Sequence, residues 1–132
     1  MSSIEEVDLR VRYFETDQMG IVHHAQYLVW FELARTEYLR NRGYQYRELE
    51  EKGFRLVVIA VELKYKAPAR YDEKIRIKTR VSFHKRLKIE FFYEVYSENG
   101  HLIAEGRTML GSIDAEGKPK IMPEAILAAL AR

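Results

Sequence analysis

Asp17 opens the run Asp17-Gln18-Met19-Gly20-Ile21-Val22-His23-His24, which leads into an aromatic-rich stretch from Tyr27. A carboxylate, a glycine loop and a helix start therefore follow one another closely. That order sets an acid or base beside backbone N–H groups left unpaired at a helix N-terminus. The combination suits attack on a carbonyl, because such amides can hold the charge that develops on its oxygen. Gly20 lets backbone come close to a bound molecule. The same residues admit a plainer account. Asp17 ahead of Gly20 can close an Asx-turn or cap the following segment. His24 can be an ordinary helix-start residue, and Tyr13 a packing residue.

Other chemistries find less support. His23 and His24 with Asp17 raise a metal site, but no zinc-type ligand spacing is present, so no metal is expected. There is no Gly-x-Ser-x-Gly elbow and no Walker loop, which argues against a serine hydrolase or an NTPase. The chain has no cysteine, which removes thiol catalysis, disulfides and Cys-based zinc sites. Two basic clusters, His84-Lys85-Arg86 and Lys64, Lys66 with Arg70, could hold anionic groups or could be solvated charged faces. Glu32 and Arg35 have the spacing of a helical ion pair.

Composition narrows the class. The 132 residues fit one domain, 1–132. Net charge is only +2 and the two signs are interspersed, so no nucleic-acid partner is expected. Charged residues make up 32% while Asn and Gln are scarce, a balance that leans towards a thermophilic source. The start Met1-Ser2-Ser3-Ile4-Glu5-Glu6 has no basic or apolar leader, and no apolar run is long enough to span a membrane. The expected location is the cytoplasm.

The elements that must position Asp17 follow from periodicity. Val7 to Phe14 alternates loosely and predicts a strand. Glu15 to His24 reads as a loop. Tyr27 to Asn41 predicts a helix that is apolar nearly all round and hence buried, stopped by Gly43. Tyr44 to Lys52 predicts a short second helix ending at Gly53. Leu56 to Lys66 is β-branched enough for a strand, with Val57, Ile59, Val61, Leu63 and Tyr65 on one face. Ala67 to Asp72 breaks it. Ile75 to Phe83 and Leu87 to Val95 alternate as half-buried strands. Asn99-Gly100 marks a hairpin before a last strand, Leu102 to Ile113. After a turn at Glu116-Gly117, Pro123 starts a short helix through Leu130, expected to dock on the protein's own sheet. One buried helix against an antiparallel sheet is an α+β arrangement. It leaves an edge strand open, and pairing that edge with a second copy predicts a dimer.

The run from Val11 to His24 with Tyr27, and the segment Tyr65-Lys66-Ala67-Pro68-Ala69-Arg70-Tyr71-Asp72, resemble the 4-hydroxybenzoyl-CoA thioesterase family of hotdog-fold proteins. Within it the chain looks most like the Tol-Pal-associated acyl-CoA thioesterases. The resemblance implies a hotdog fold, an antiparallel sheet wrapped around one long central helix. It implies acyl-CoA thioester hydrolysis without a cofactor, giving a carboxylic acid and free CoA. By position, Asp17 becomes the base or nucleophile, His24 the place of the oxyanion-binding N–H, and Tyr13 a further active-site residue. Gly20, Tyr27, Lys64, Lys66, His84, Lys85 and Arg86 become candidate substrate-binding residues. Family members form homodimers that often pair into homotetramers, with the site at the dimer interface. An acyl carrier protein is a possible partner. The alternatives are a non-catalytic acyl-CoA or acyl-carrier-protein binding module on the same fold, or a dehydratase acting on a 3-hydroxyacyl thioester. The acyl chain stays open.

Overall fold

Side-chain alternation builds the sheet, and aromatic side chains from one helix fill its inner face. The computed structural model describes residues 2–132. In chain order the elements are β1 (Glu5–Arg10), α1 (Gln26–Asn41), α2 (Tyr46–Glu51), β2 (Arg55–Tyr65), β3 (Lys74–Lys85), β4 (Lys88–Ser97), β5 (Leu102–Ile113) and α3 (Glu124–Leu130). The five strands form one antiparallel sheet in the order β1-β3-β4-β5-β2. The architecture is α+β. Gly100, with φ 85°, closes the β4–β5 hairpin where Asn99-Gly100 predicts one.

Ile75, Ile77 and Val81 of β3, Ile89, Phe91, Tyr93 and Val95 of β4, and Ala104 and Leu110 of β5 are buried. Against them α1 packs Tyr27, Trp30, Phe31, Ala34, Tyr38 and Leu39. Burial of each such large side chain is worth about 1.5–3 kcal/mol. Phe31 stacks flat on Tyr93 at 4.2 Å between ring centroids. Gly106 makes this approach possible, since a Cβ there would lie 2.6 Å from Phe31 Cε2 and 2.8 Å from the Glu62 carbonyl oxygen. α3 docks on the same molecule through Ile126, Leu127 and Leu130, and the Tyr38 hydroxyl donates to the Leu130 carbonyl.

Five local expectations need correction. The first strand stops at Arg10, and Tyr13–Glu15 forms a 3-10 turn because the Glu15 carboxylate accepts the Arg12 N–H at 2.7 Å. Next, α1 has the expected length but is not buried all round: Leu28, Val29 and Leu33 are exposed on its outer side. In β2 the register shifts between Val58 and Ala60. Residues directly opposite across a ladder share a face. Leu56, Val58, Val61, Leu63 and Tyr65 therefore point with the inward residues of β5, and Val57 points the other way. A similar shift between Val81 and Phe83 turns Phe83 outward. Finally, Arg35 does not pair with Glu32. It is buried, and it donates to the hydroxyls of Tyr46 at 2.6 Å and Tyr93 at 3.1 Å.

Candidate active site

After the 3-10 turn the chain doubles back on itself in a short ribbon. Thr16 pairs with Val22, the Asp17 N–H donates to the Ile21 carbonyl at 2.8 Å, and the His23 N–H donates to the Glu15 carbonyl at 2.9 Å. Gly20 turns the ribbon with φ 78°, a conformation that side chains with a Cβ rarely adopt. The ribbon is anchored to the β2–β3 crossover, where Val22 N–H donates to the Ala69 carbonyl at 2.8 Å.

Asp17 sits half-buried at the ribbon end. Its Oδ1 accepts the Met19 N–H at 2.8 Å, so the Asx-turn is formed. No partner holds Oδ2 among the described residues. Tyr13, Thr16, Asp17, Gln18, Gly20 and Tyr71 line an open cleft of about 690 Å³. Tyr13 and Tyr71, both largely exposed, set their rings 5.6 Å apart on its rim.

The far strand of the ribbon runs straight into α1. Ala25 stands at the N-cap position and supplies no side-chain cap. The His24 N–H meets no acceptor among the described residues, and the first-turn amides carry the positive end of the helix dipole. On the other side of His24, its carbonyl accepts the Tyr65 hydroxyl at 2.8 Å. This ties the helix start to the end of β2.

One buried carboxylate joins the two halves. Glu15 Oε2 accepts from Gln26 Nε2 at 2.8 Å, Trp30 Nε1 at 2.9 Å and Arg12 at 3.2 Å. Burial pushes this carboxyl up, but the hydrogen bonds from Arg12 and Trp30 and the Arg12 charge outweigh it. The group lies below its ordinary value.

Tyr13, Asp17 and Gly20 thus share one cleft. The His24 ring, exposed and stacked on His23 at 4.2 Å, is not part of its lining. Tyr27 is a core residue rather than a cleft wall. It packs edge-on against Trp30 and Tyr65, and burial, with the nearby Tyr65 and Glu73, raises its hydroxyl to about 12. Lys64 is exposed opposite Glu105 on the outer sheet face, and Lys66 is exposed just past the end of β2.

His84, Lys85 and Arg86 sit where β3 turns into β4. β3 has 12 residues, so about 35 Å separates that hairpin from the Tyr71 end. A single chain does not bring this cluster to Asp17.

Sequence reasoning passed over Glu15, Tyr65 and Tyr71 as site residues. Glu15 carried no capping-box signal, because Arg12 has no side-chain acceptor to serve as the N-cap partner. Among the described residues there is no cluster of three or more His, Asp or Glu suited to a metal, and no helix long and apolar enough to cross a membrane.

Comparison with known proteins places this geometry in a family. The model of the thioesterase-like superfamily matches residues 11–130. An acyl-CoA thioesterase, YbgC of Haemophilus influenzae, is 34% identical over 123 residues, covering 92% of this chain and 90% of its own length. A crystal structure of a DHNA-CoA thioesterase from Staphylococcus aureus superposes with a TM-score of 0.86 at 34% identity, covering 89% of this chain and 80% of that one. A Thermus thermophilus protein, TT1821, superposes with a TM-score of 0.90 at 36% identity, covering 97% and 95%.

Proposed function

This chain belongs to the thioesterase-like superfamily of hotdog-fold proteins, and we propose that it hydrolyses acyl-CoA thioesters to a carboxylic acid and free CoA. The observation that carries the proposal is Asp17 itself. It is a partly exposed carboxylate in an aromatic-rimmed cleft, on a ribbon whose other strand leads into an uncapped helix start. The relatives named for acyl-CoA thioester cleavage support the substrate class.

In the proposed reaction Asp17 acts as general base towards water or as the nucleophile. The His24 N–H takes the developing oxyanion, with the α1 dipole behind it. The carbon–sulfur bond breaks and CoA leaves as its thiol, taking up the proton drawn from water; where Asp17 attacks directly, water then hydrolyses the acyl–Asp17 anhydride and releases the acid. The Tyr13 side chain flanks the reacting carbonyl, and Gly20 lets the substrate lie close to backbone. Tyr27 contributes from beneath, by fixing Tyr65 and through it His24. The reaction calls for no cofactor.

A second copy completes the site in this proposal. β2 is an edge strand carrying exposed Val57, Val58, Ile59 and Val61. Two such edges related by a two-fold axis pair antiparallel. The Tyr65 end of one β2 then meets the Arg55 end of the other. The second copy's β3–β4 hairpin thereby comes within about 14 Å, three strand spacings, of this chain's β2. His84, Lys85 and Arg86 of that copy, with Lys64 and Lys66 of this one, are placed to hold the CoA phosphates.

We take α1 as the central helix that the sheet wraps, the 1–132 chain as one thioesterase domain of cytoplasmic location, and two dimers as the tetramer. Thioesters of an acyl carrier protein are further candidate substrates. The charge-rich surface, with Arg76 bridging Glu6 and Asp8 across β1 and β3, suits a heat-loving source.

The test is thiol release from a panel of acyl-CoAs with wild type and Asp17→Asn in parallel. Loss of roughly 10²- to 10⁴-fold in kcat for the variant, with fold and oligomer intact, is expected for a base or nucleophile. An active variant would remove Asp17 from the mechanism. Acyl-CoA binding by wild type without any thiol release would make the protein a binding module instead.

A further inference from the structure

We infer that Glu15 is a positioning residue that sets the distance between the Asp17 carboxylate and the start of α1, an inference that rests on the hydrolase function proposed above. Glu15 is only 1% exposed, yet it carries a carboxylate. Burying a carboxylate carries a desolvation cost that an apolar side chain does not. An apolar side chain of similar volume would fill the same space. What an apolar residue cannot do is hold several separate segments in one fixed geometry.

Glu15 holds three. Its Oε1 takes the Arg12 main-chain N–H at 2.7 Å, which closes the 3-10 turn ahead of Asp17. Its Oε2 takes the side chains of Gln26 at 2.8 Å and Trp30 at 2.9 Å. Gln26 and Trp30 are one turn apart on α1, so the carboxylate grips one face of the helix's first two turns. The Glu15 carbonyl meanwhile accepts the His23 N–H at 2.9 Å, which is the ribbon rung next to His24. Side chain and main chain of one residue thus lock the Asp17 strand to the helix that follows His24. Asp17, two residues along the same strand, has no side-chain link of its own to α1 among the described residues. Its aim is inherited from Glu15.

The charge and the geometry of the carboxylate are both used. Glutamine offers one acceptor oxygen in place of two, and its NH2 must face either the Arg12 N–H or the donors from Gln26 and Trp30. One set of donors is then orphaned. A shift of about 1 Å at a reacting group is enough to cost ~10²-fold in rate.

The experiment measures kcat and KM for one turned-over acyl-CoA with Glu15→Gln, Trp30→Phe and Asp17→Asn, well below each variant's melting temperature. Trp30→Phe removes a single donor and leaves the carboxylate held by Arg12 and Gln26. It keeps the test open where Glu15→Gln fails to fold. The expected result is a kcat lowered about 10²-fold in Glu15→Gln and about 10-fold in Trp30→Phe, with KM within about threefold of wild type. A merely structural Glu15 would lower the melting temperature and leave kcat per folded site unchanged. That result, or a loss confined to KM, overturns the inference. If Glu15→Gln and Trp30→Phe stay fully active while Asp17→Asn is dead, the inference fails and the hydrolase proposal stands. If Asp17→Asn turns over normally, the proposed role of Asp17 fails, and Glu15 has nothing to position.

Discussion

Glu15 and Asp17 are the same kind of group two residues apart, and their surroundings give them different work. Asp17 keeps one oxygen towards an open cleft, whereas Glu15 spends both on donors inside the fold. The chain carries one tryptophan, and its indole N–H is on Glu15, so Trp30 emission reads the state of that carboxylate. Burial raises the Glu15 carboxyl and the bonds from Arg12 and Trp30 lower it further, leaving it beneath its ordinary 4.5. A group depressed in the folded state contributes stability in full above its unfolded value and loses it as pH falls through the folded value. Trp30 emission is therefore expected to stay flat from neutral pH down to about 4.5 and to change only below it. Glu15→Gln should lack that step. A transition above pH 4.5 in wild type, or an unchanged one in Glu15→Gln, would show that Trp30 reports another group. The turn that carries Asp17 and Gly20 was legible in the sequence because its pattern is contiguous. The partners that explain Glu15 lie 11 and 15 residues further on, and no local pattern announces a contact at that separation.

At the scale of elements, the legible parts were those with one wet face. β5 runs over Leu102–Ile113 as expected, and along it Thr108 and Leu110 are buried while Arg107 and Met109 are not. β2 was found, with Val61, Leu63 and Tyr65 on one face as expected, but Val57 was put with them and lies on the other. The stretch Leu56 to Ala60 is apolar on both faces, so nothing in its composition marks the bulge after Val58 that exchanges inside for outside. α1 was right in length and wrong in surroundings. Leu28, Val29 and Leu33 look like core in the sequence and are open in one chain. The seam between α1 and β5 depends on Gly106. Its place in a strand gives it no turn to make, and its lack of a side chain serves only the approach of Phe31. Both obstacles to a Cβ there are stiff, a stacked ring and a backbone carbonyl. Gly106→Ala is expected to destabilise the fold by about 1–3 kcal/mol, read as a lower midpoint in urea at unchanged slope. An unaltered midpoint would mean that α1 can move off the sheet at little cost. The ribbon that carries Asp17 should then loosen in that variant too, since α1 carries Gln26 and Trp30.

The whole molecule poses a spatial problem that one chain does not solve. Asp17 and the His24 amide sit at one end of the sheet, while the His84-Lys85-Arg86 hairpin sits at the other. The proposed hydrolysis of an acyl-CoA calls for a carboxylate at the thioester and cations at the phosphates. In the proposed dimer, antiparallel pairing of two β2 edges would exchange the ends, so that each carboxylate faces the other copy's cations. This arrangement makes a prediction that a self-contained site does not. Asp17→Asn and a triple alanine variant of His84, Lys85 and Arg86 should each lose activity as pure dimers, the second mainly through KM. In mixed dimers, one site combines both lesions and the other combines neither. Unfolding and refolding the two inactive proteins together should therefore restore thiol release, to about a quarter of wild type if subunits assort at random. Without exchange, both lesions would act within their own chain, and every site in a mixed dimer would carry one of them. Activity after mixing would then stay at the average of the two parents, and the cations that bind CoA would have to be sought on the Asp17 end of the same chain, with Lys66 and Arg70 first.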